Sequence, residues 1–185
     1  SLRLVGSEMC IRDRVSTLKS LAKYFQRVIS NKELIDLAYD IENNFVGVGG
    51  GMMDQFVSVL GNQNEALFLN TANRNYELIP IFKDYKFVII DSNTQRILSD
   101  SNFNQKKELC YSAAKNMNVE NLCVKSKIGE HDIQSLSDDE LSVSKHVIEE
   151  NIRVVKAAQF LKSNGAEEFG KLMTESHMSL SKSVS

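Results

Sequence analysis

The sequence predicts a mixed α/β chain, with helices at both ends and short strands between them. Apolar residues recur at steps of three and four over several long stretches, which is typical of helices with one buried face. Two short runs of β-forming residues flank a polar turn near the middle of the chain, as in a β-hairpin. A run rich in glycine separates two helical stretches and ends directly at a helix start. Together these patterns predict an α/β fold.

The N-terminal segment is expected to be foreign to the protein. Residues 4–13 resemble the translation of a transposase adapter used in library sequencing. A secretory signal peptide is the alternative, but three small or polar residues from Gly6 onward would interrupt its apolar core. We therefore expect residues 1 to about 14 to pack against nothing, with Ile11 outside any core. The same origin implies an internal fragment, cut at both ends.

Composition excludes several classes of function. The 185 residues carry 22 basic and 24 acidic side chains, so no net positive field exists to attract nucleic acid or an anionic membrane. No apolar run approaches the roughly 18 residues that a membrane span requires. Cys10, Cys110 and Cys123 lie outside any CxxC pair and away from histidine at metal-ligand spacing. We expect reduced thiols in the cytoplasm and no metal site.

Two helices are predicted before the glycine-rich run. The first starts at Val15 and keeps its apolar stripe as far as Ile29. The second follows at once, because Ser30 and Glu33 have the spacing of a capping box. Its apolar positions continue to Phe45, so this helix should end just after that residue.

Residues 47–51 form a predicted loop that leads into a third helix. Four of the five are glycine, and each glycine costs about 1 kcal/mol in a helix interior relative to alanine. Helical spacing resumes over residues 52–60 and stops at Gly61. Consecutive glycines let a ligand approach the backbone, and a helix N-terminus favours negative charge. Asp54, in the first turn, is therefore a candidate site residue; the alternative is a favourable first-turn charge with no further role.

The middle of the chain contains three predicted strands. Residues 66–70 and 76–81 are separated by a polar turn, which suggests a hairpin or adjacent strands. Pro80, the single proline, must lie at an edge or at a strand end. Residues 87–90 are a continuous apolar run with β-branched members, which predicts a strand buried on both faces.

The rest of the chain is predicted to be helical, after a soft boundary between Asp91 and Ser101 where strand character ends. Ser137 and Glu140 have capping-box spacing, and Asn164 with the glycine after it should stop the helix between them. The expected helices cover residues 101–117, 138–163 and 167–180.

Three segments, in order, carry recognisable motifs. Residues 44–56 read N-F-V-G-V-G-G-G-M-M-D-Q-F, residues 91–105 read D-S-N-T-Q-R-I-L-S-D-S-N-F-N-Q, and residues 169–180 read F-G-K-L-M-T-E-S-H-M-S-L. They resemble E-x-x-F-V-G-V-P-C-G-I-M-D-Q-F, D-S-G-V-x-R-x-L-x-x-S-x-Y-N-x-R and F-G-x-L-M-x-E-S-H-x-S-L of the galactokinases, a branch of the GHMP kinase family. The resemblance covers nearly the whole chain from Val15 onward.

The resemblance implies a sugar-1-kinase that uses ATP and Mg²⁺ to phosphorylate galactose at its anomeric hydroxyl. By the family's pattern Asp54 is the acidic residue beside that hydroxyl, with both a catalytic and a substrate-binding role. Gly51 corresponds to a backbone contact to the sugar. Phe103 stands where the pattern has a tyrosine whose hydroxyl touches the sugar, so one hydrogen bond is lost and the identity of the hexose is left open.

The resemblance also implies a two-part architecture. Residues 15–95 correspond to the later part of a ribosomal-S5-like N-terminal domain, and residues 96–185 to the beginning of a ferredoxin-like C-terminal domain. The family's glycine–serine loop, P-x-G-x-G-L-S-S-S, does not occur in this sequence, so no ATP-binding residue is assigned and the fragment alone is expected to be inactive. The implied partners are a small sugar and ATP. The protein is expected to be a cytoplasmic monomer.

Two alternatives stay open. An N-acetylgalactosamine kinase is suggested by the three glycines at residues 49–51 and by Phe103. A non-catalytic sugar sensor is the second, since galactokinase-like chains can serve as ligand-dependent co-regulators.

Other motif residues have simpler interpretations. Arg96 is typical of a surface arginine. The Glu, Ser and His at residues 175–177 are consecutive on a helix, so they cannot converge as a hydrolase triad.

Overall fold

The computed structural model describes residues 7–45, 47, 50–91, 93 and 102–183; the side chains at 7–10, 102–104 and 182–183 lie outside this description. The chain divides into two compact units, the first ending at Ile81 and the second beginning at Phe82. This division lies before the predicted boundary between Asp91 and Ser101. The assignment of residues 15–95 and 96–185 to parts of two kinase domains stays a prediction.

The first unit combines helices with one hairpin. Its elements are α1 (Ser7–Tyr24), α2 (Asn31–Asp40), a π-helical turn (Ile41–Phe45), α3 (Met53–Leu60), β1 (Glu65–Leu69) and β2 (Tyr76–Pro80). The capping box predicted for α2 is confirmed. Ser30 Oγ accepts the Glu33 backbone N–H at 3.2 Å, while the Glu33 carboxylate accepts the Ser30 backbone N–H at 2.9 Å. Two otherwise unpaired helix donors are thereby satisfied.

The core of the first unit lies between α1, α2 and α3. Its fully buried members are Val15, Leu34 and Ala38, with Leu18, Ile29 and Val59 packed against them. The apolar stripes predicted for the first two helices therefore supply this core. Their outer members do not join it, because Phe25 and Val28 are exposed and Phe45 is 88% exposed at the end of the π-helical turn.

The expectation that residues 1 to about 14 pack against nothing is wrong at Ile11. Helix α1 begins at Ser7, and Ile11 is only 5% exposed. Residues four apart lie on the same face of a helix, so Ile11 and Val15 both lie on the buried side of α1. Leu4 and Val5 lie outside the described residues.

The predicted hairpin is confirmed. β1 and β2 pair antiparallel, with Glu65 opposite Pro80 at one end and Leu69 opposite Tyr76 at the other. The Asn70 side chain accepts the backbone N–H of Ala72 at 3.0 Å and so orders the polar turn. Pro80 ends β2, as the absence of its N–H requires.

The strand predicted over residues 87–90 is wrong. The structure assigns no strand there, and Val88, Ile89 and Ile90 are 78%, 97% and 84% exposed. Phe87 packs its ring edge-on against Phe169, with ring centres 6.0 Å apart. A strand buried on both faces needs neighbouring strands and covering layers. The described part of the second unit contains helices alone, so the run has no strand to pair with there.

The second unit is built on the long helices. Its elements are α4 (Asn102–Asn116), a 3₁₀ turn (Leu122–Val124), α5 (Glu130–Ser135), α6 (Asp138–Lys162) and α7 (Ala166–Ser183). The three predicted helices correspond to α4, α6 and α7, whereas the two short elements lacked enough residues to show a periodicity. The buried core joins α4, the 3₁₀ turn and α6; its members are Ala113, Ala114, Met117, Leu122 and Ile148. None of the described helices is both long enough and apolar enough to cross a bilayer.

The end of α6 confirms the predicted stop, with one difference. Asn164, and not the glycine after it, adopts the left-handed conformation at φ 58°. The backbone N–H of Gly165 then donates to the Phe160 carbonyl at 2.8 Å, and that of Asn164 to the Leu161 carbonyl at 3.3 Å. This is the Schellman arrangement, which satisfies carbonyls that the helix end leaves unpaired.

Glu140 joins the start of α6 to α4. Its carboxylate accepts the Ser137 backbone N–H at 2.9 Å within the predicted capping box. It also accepts hydrogen bonds from Ser112 and, at 3.0 Å, from Asn116, both on α4. The Ser112 hydroxyl and then the Ser137 backbone N–H hold the pKa of Glu140 below its ordinary value. The ionised carboxylate is therefore the form that ties the two helices together.

Replacing Glu140 with glutamine should destabilise the second unit by about 1.5–3 kcal/mol at neutral pH, the usual contribution of hydrogen bonds to a charged group. Because the folded-state pKa is lowered, this stabilisation is present above the ordinary glutamate value of 4.5 and is lost as the pH falls through the lowered one. Urea unfolding of parent and Glu140→Gln between pH 3 and 7 measures the difference. Glu149→Gln, which removes an exposed partner of Arg153 on the same helix, is the control and should change little.

Candidate functional site

The glycine-rich loop leads to a helix start that has no side-chain cap. Gly47 has φ 78°, a left-handed conformation that favours glycine, and Val48 and Gly49 lie outside the described residues. Met52 occupies the N-cap position of α3 without a capping hydrogen bond from its side chain. The first turn closes through the Phe56 backbone N–H, which donates to the Met52 carbonyl at 3.1 Å.

Asp54 lies in the first turn of α3, as predicted, and its side chain is half-buried. Within the described part of the chain, no side chain donates a hydrogen bond to its carboxylate or forms an ion pair with it. The backbone beside it is open, because a Cβ added at Gly51 would meet nothing within 4 Å. A carboxylate next to exposed backbone at a helix N-terminus is thus accessible to a small polar ligand.

A buried polar cluster lies behind Asp54. Gln55 is 0% exposed, and its side-chain amide donates a short hydrogen bond to the carboxylate of Glu42, which is 4% exposed in the π-helical turn. Arg14, on α1, approaches the same carboxylate oxygen at 3.5 Å. The cluster therefore connects α1, the π-helical turn and α3 behind the candidate site.

The electrostatic environment of Glu42 is unusual for a glutamate. Burial is the main reason that the pKa of Glu42 is raised above its ordinary value. The neighbouring charge of Asp54 raises it further, whereas Arg14 and the Gln55 hydrogen bond act in the opposite direction. Glu42 therefore lies close enough to Asp54 for the Asp54 charge to affect the ionisation of Glu42.

Sequence reasoning predicted Asp54 and Gly51 but missed Glu42 and Gln55. A signal was present, because Glu42 and Gln55 match the first Glu and the Gln of the motif that identified the loop. Of the other predicted residues, Phe103 lies in α4 with its side chain outside the description, and Arg96 lies outside the described residues. The placement of Phe103 relative to a sugar therefore stays a prediction.

One family model matches the part of the chain that contains the candidate site. Residues 13–62 match the family model described as the GHMP kinases N terminal domain, and that match includes Glu42, the glycine-rich loop and Asp54. The resemblance to GHMP kinases that the motifs predicted is thus confirmed over this segment. The matched segment starts within α1, so at least the last two residues of the segment expected to be foreign fall inside the family match.

Relatives within the GHMP kinase family extend the match beyond the loop. A protein named galactokinase from Thermotoga petrophila is 35% identical over 167 residues, which are 90% of this chain and 47% of that protein. Another protein of that name, from Halalkalibacterium halodurans, is 37% identical over 160 residues, 82% of this chain and 40% of the relative. The chain thus spans about half the length of the curated relatives that it matches.

The solved structure of Lactococcus lactis galactokinase complexed with galactose matches this fold with a TM-score of 0.79 and 25% sequence identity. The match covers 89% of this chain and 44% of the relative. It confirms the predicted α/β class with the GHMP kinase fold.

The family's third motif has a structural role in α7. Ser176 donates to Glu150 on α6 at 2.6 Å, and Glu150 also binds Arg153 at 2.9 Å. One turn later, the Ser179 hydroxyl lies 2.9 Å from a ring nitrogen of His146 on α6. Since Ser176 points at a neighbouring helix, the interpretation of residues 175–177 as a structural signature is supported.

The described thiols and histidines do not form a metal site. Cys110 is half-buried and Cys123 is exposed; both are free, and burial raises the pKa of each thiol. Among the residues that the structure describes, no group of three His, Cys, Asp or Glu side chains is arranged to hold a metal ion.

Replacing Glu42 with glutamine should change how the stability of the first unit depends on pH. Because the folded-state pKa of Glu42 is raised, its contribution is fully present below the ordinary value of 4.5 and is lost as the pH rises through the raised pKa. The parent should therefore lose stability relative to Glu42→Gln as the pH rises from about 4 to 8. Urea unfolding at each pH measures this difference.

Glu33→Gln is the matched control for that measurement. The Ser30 hydroxyl, and next its backbone N–H, lower the pKa of Glu33, so its stabilising contribution is lost as the pH falls. The parent should gain stability relative to this variant as the pH rises, which is the opposite sign. Equal slopes for the two variants would contradict the electrostatic description of Glu42.

Proposed function

We propose that the protein is a galactokinase, which transfers a phosphoryl group from ATP to the anomeric hydroxyl of galactose. The observation that carries the proposal is the position of Asp54, an accessible first-turn carboxylate beside the open backbone of Gly51, inside the segment that matches the family model. The solved relative, a galactokinase complexed with galactose, supports a sugar as the substrate.

Asp54 is the proposed general base. It would take the proton of the anomeric hydroxyl while that oxygen forms a bond to the terminal phosphorus of ATP and the bond to ADP breaks. A hydrogen bond to the hydroxyl would also orient the attacking oxygen. Gly51 would contact the sugar through its backbone, and Phe103 would supply an apolar contact where the family pattern has tyrosine.

ATP and Mg²⁺ belong to the proposal for the whole protein. When bound, they supply the phosphoryl group and neutralise charge that develops on it. Among the described residues, no three acidic, His or Cys side chains converge to hold a metal ion. No step at the metal is therefore assigned to a residue of this chain.

Asp54→Asn tests the proposal in the protein encoded by the complete gene. The kcat should fall by about 10²–10⁴-fold, the usual contribution of a general base, while the KM for galactose changes little. ADP release is measured with saturating galactose and, separately, with N-acetylgalactosamine, together with a thermal melt of each preparation. Near-normal turnover with an unchanged melt would contradict the proposal.

Asp138→Asn is the matched control for Asp54→Asn. Asp138 also lies in the first turn of a helix, α6, so its replacement removes the same kind of helix-terminal charge. That charge contributes about 0.3–1 kcal/mol at an exposed helix start. The control should therefore lower stability slightly and leave kcat unchanged, which separates helix electrostatics from chemistry.

Gly51→Ala tests the proposed sugar contact. An added methyl at Gly51 meets no protein atom within 4 Å, so folding should be unaffected, but the methyl would enter the space proposed for the sugar. The KM for galactose should rise about tenfold or more. At Gly61 the added Cβ would meet the Val57 carbonyl oxygen at 2.6 Å, so Gly61→Ala should instead cost about 1–3 kcal/mol of stability without raising the KM. An unchanged KM in a folded Gly51→Ala variant would remove Gly51 from the site.

A further inference from the structure

Asp54 owes its orientation to the backbone that carries it. Since no described side chain binds its carboxylate, the direction of that carboxylate depends on how the first turn of α3 is held. Local sequence does not hold it firmly. Glycines precede the turn, and the N-cap residue Met52 provides no side-chain hydrogen bond.

Gln55, the residue after Asp54, supplies the missing constraint. Its fully buried amide donates to Glu42, which lies 13 residues earlier on the far side of the glycine-rich loop. The hydrogen bond thus joins the first turn of α3 to the π-helical turn that precedes the loop. A charge-assisted hydrogen bond is directional, so it fixes the rotation of α3 about its own axis as well as its position.

Phe56, the other buried residue of this turn, is held by packing and not by a directional bond. Phe56 is buried and packs edge-on against Tyr76 of the hairpin, with ring centres 6.5 Å apart. Ring packing holds α3 near the hairpin but restricts its rotation weakly, because aromatic pairs tolerate a range of geometries. Val59 near the other end of α3 packs on the core of the unit, so Gln55 supplies the directional constraint at the first turn, where Asp54 lies.

The buried Gln55 amide also lowers the stability of the fold relative to an apolar side chain at the same place. Its carbonyl oxygen is buried and has no hydrogen-bond donor among the described residues. A buried unpaired acceptor costs about 1–3 kcal/mol, and such groups are rare in folded proteins. The carboxylate of Glu42 is buried as well. Two apolar side chains could fill the same space without burying a charge or leaving an acceptor unpaired.

We propose that Gln55 is a positioning residue, which aims the Asp54 carboxylate at its substrate through the buried hydrogen bond to Glu42. The role assigned to Asp54 rests on the galactokinase proposal, whereas the fixed first turn does not. Gln55 touches no reacting atom in this scheme. Glu42 is its acceptor, and the charged groups that face Glu42 in the described structure are Arg14 from α1 and Asp54 from α3.

An exchange of the two side chains tests the proposal in the chain itself. Gln55→Glu alone places two carboxylates together and removes the amide donor, whereas Gln55→Glu with Glu42→Gln restores one amide and one carboxylate with their positions exchanged. Amide hydrogen exchange is followed at Phe56, whose N–H closes the first turn onto Met52, and at Gly61, whose N–H donates to Val57 at the other end of α3. No sugar is needed, so the result is independent of whether galactose binds.

The single variant should lower the protection of the Phe56 amide by about tenfold relative to Gly61, and the double variant should recover most of it. The ¹³C chemical shift of the Asp54 carboxyl should move in the single variant and return towards the parent in the double one. An equal loss at Phe56 and Gly61 indicates general destabilisation and overturns the proposal. So does a folded single variant with parental Phe56 protection, or a double variant that recovers none of it.

If the single variant does not fold, the double variant and Glu42→Gln decide the matter. The double variant contains the same pair of groups as the parent, so it should fold with a protected first turn. Glu42→Gln retains a side-chain carbonyl oxygen that can accept from Gln55 and should keep Phe56 protected. Failure of the double variant to fold while Glu42→Gln folds would overturn the proposal, because the exchanged hydrogen bond would then not substitute for the original.

Discussion

A buried carboxylate is stable only where other groups satisfy its oxygens, and Glu42 imposes this requirement on the first unit. Gln55 from α3 and Arg14 from α1 both approach the same oxygen of that carboxylate. Helices α1 and α3 are therefore joined to the π-helical turn by polar contacts, in addition to the apolar packing of the core. The candidate site lies directly in front of that point, because Asp54 precedes Gln55 in the chain.

The second unit uses a carboxylate in the opposite electrostatic setting. Glu140 accepts hydrogen bonds from three residues, and these donors favour its charged form. Glu42 receives fewer donors and is more strongly affected by burial, so its charged form is disfavoured. The same residue type thus serves as a helix-capping anchor in one unit and as a buried acceptor in the other.

The site combines a constrained back with an open front. Gln55 and Phe56, which follow Asp54, are both buried. On the other side of Asp54, the backbone at Gly51 faces open space. A proton acceptor benefits from this arrangement, since a small error in its direction lowers the rate of a reaction that depends on alignment. The match to the GHMP kinases N terminal domain gives the arrangement a chemical context, in which Asp54 is the proposed proton acceptor.

Local features of the sequence determined much of the fold. Both capping boxes, the stop at Asn164 and the hairpin around its polar turn were predictable, because each depends on residues a few positions apart. Motif resemblance likewise located Asp54 and Gly51. What the sequence by itself determined was therefore the long helices, the hairpin turn and the position of the residue that we propose as the general base.

Only the tertiary structure decided what lies between those elements. The apolar run at residues 87–90 has the composition of a buried strand, but burial depends on neighbours that are distant in sequence, and the described part of its unit provides none. The hydrogen bond from Gln55 to Glu42 crosses a glycine-rich loop whose path no periodicity encodes. Side chains that meet across such a loop are brought together by packing of whole helices, which is a property of the folded chain and not of any local segment.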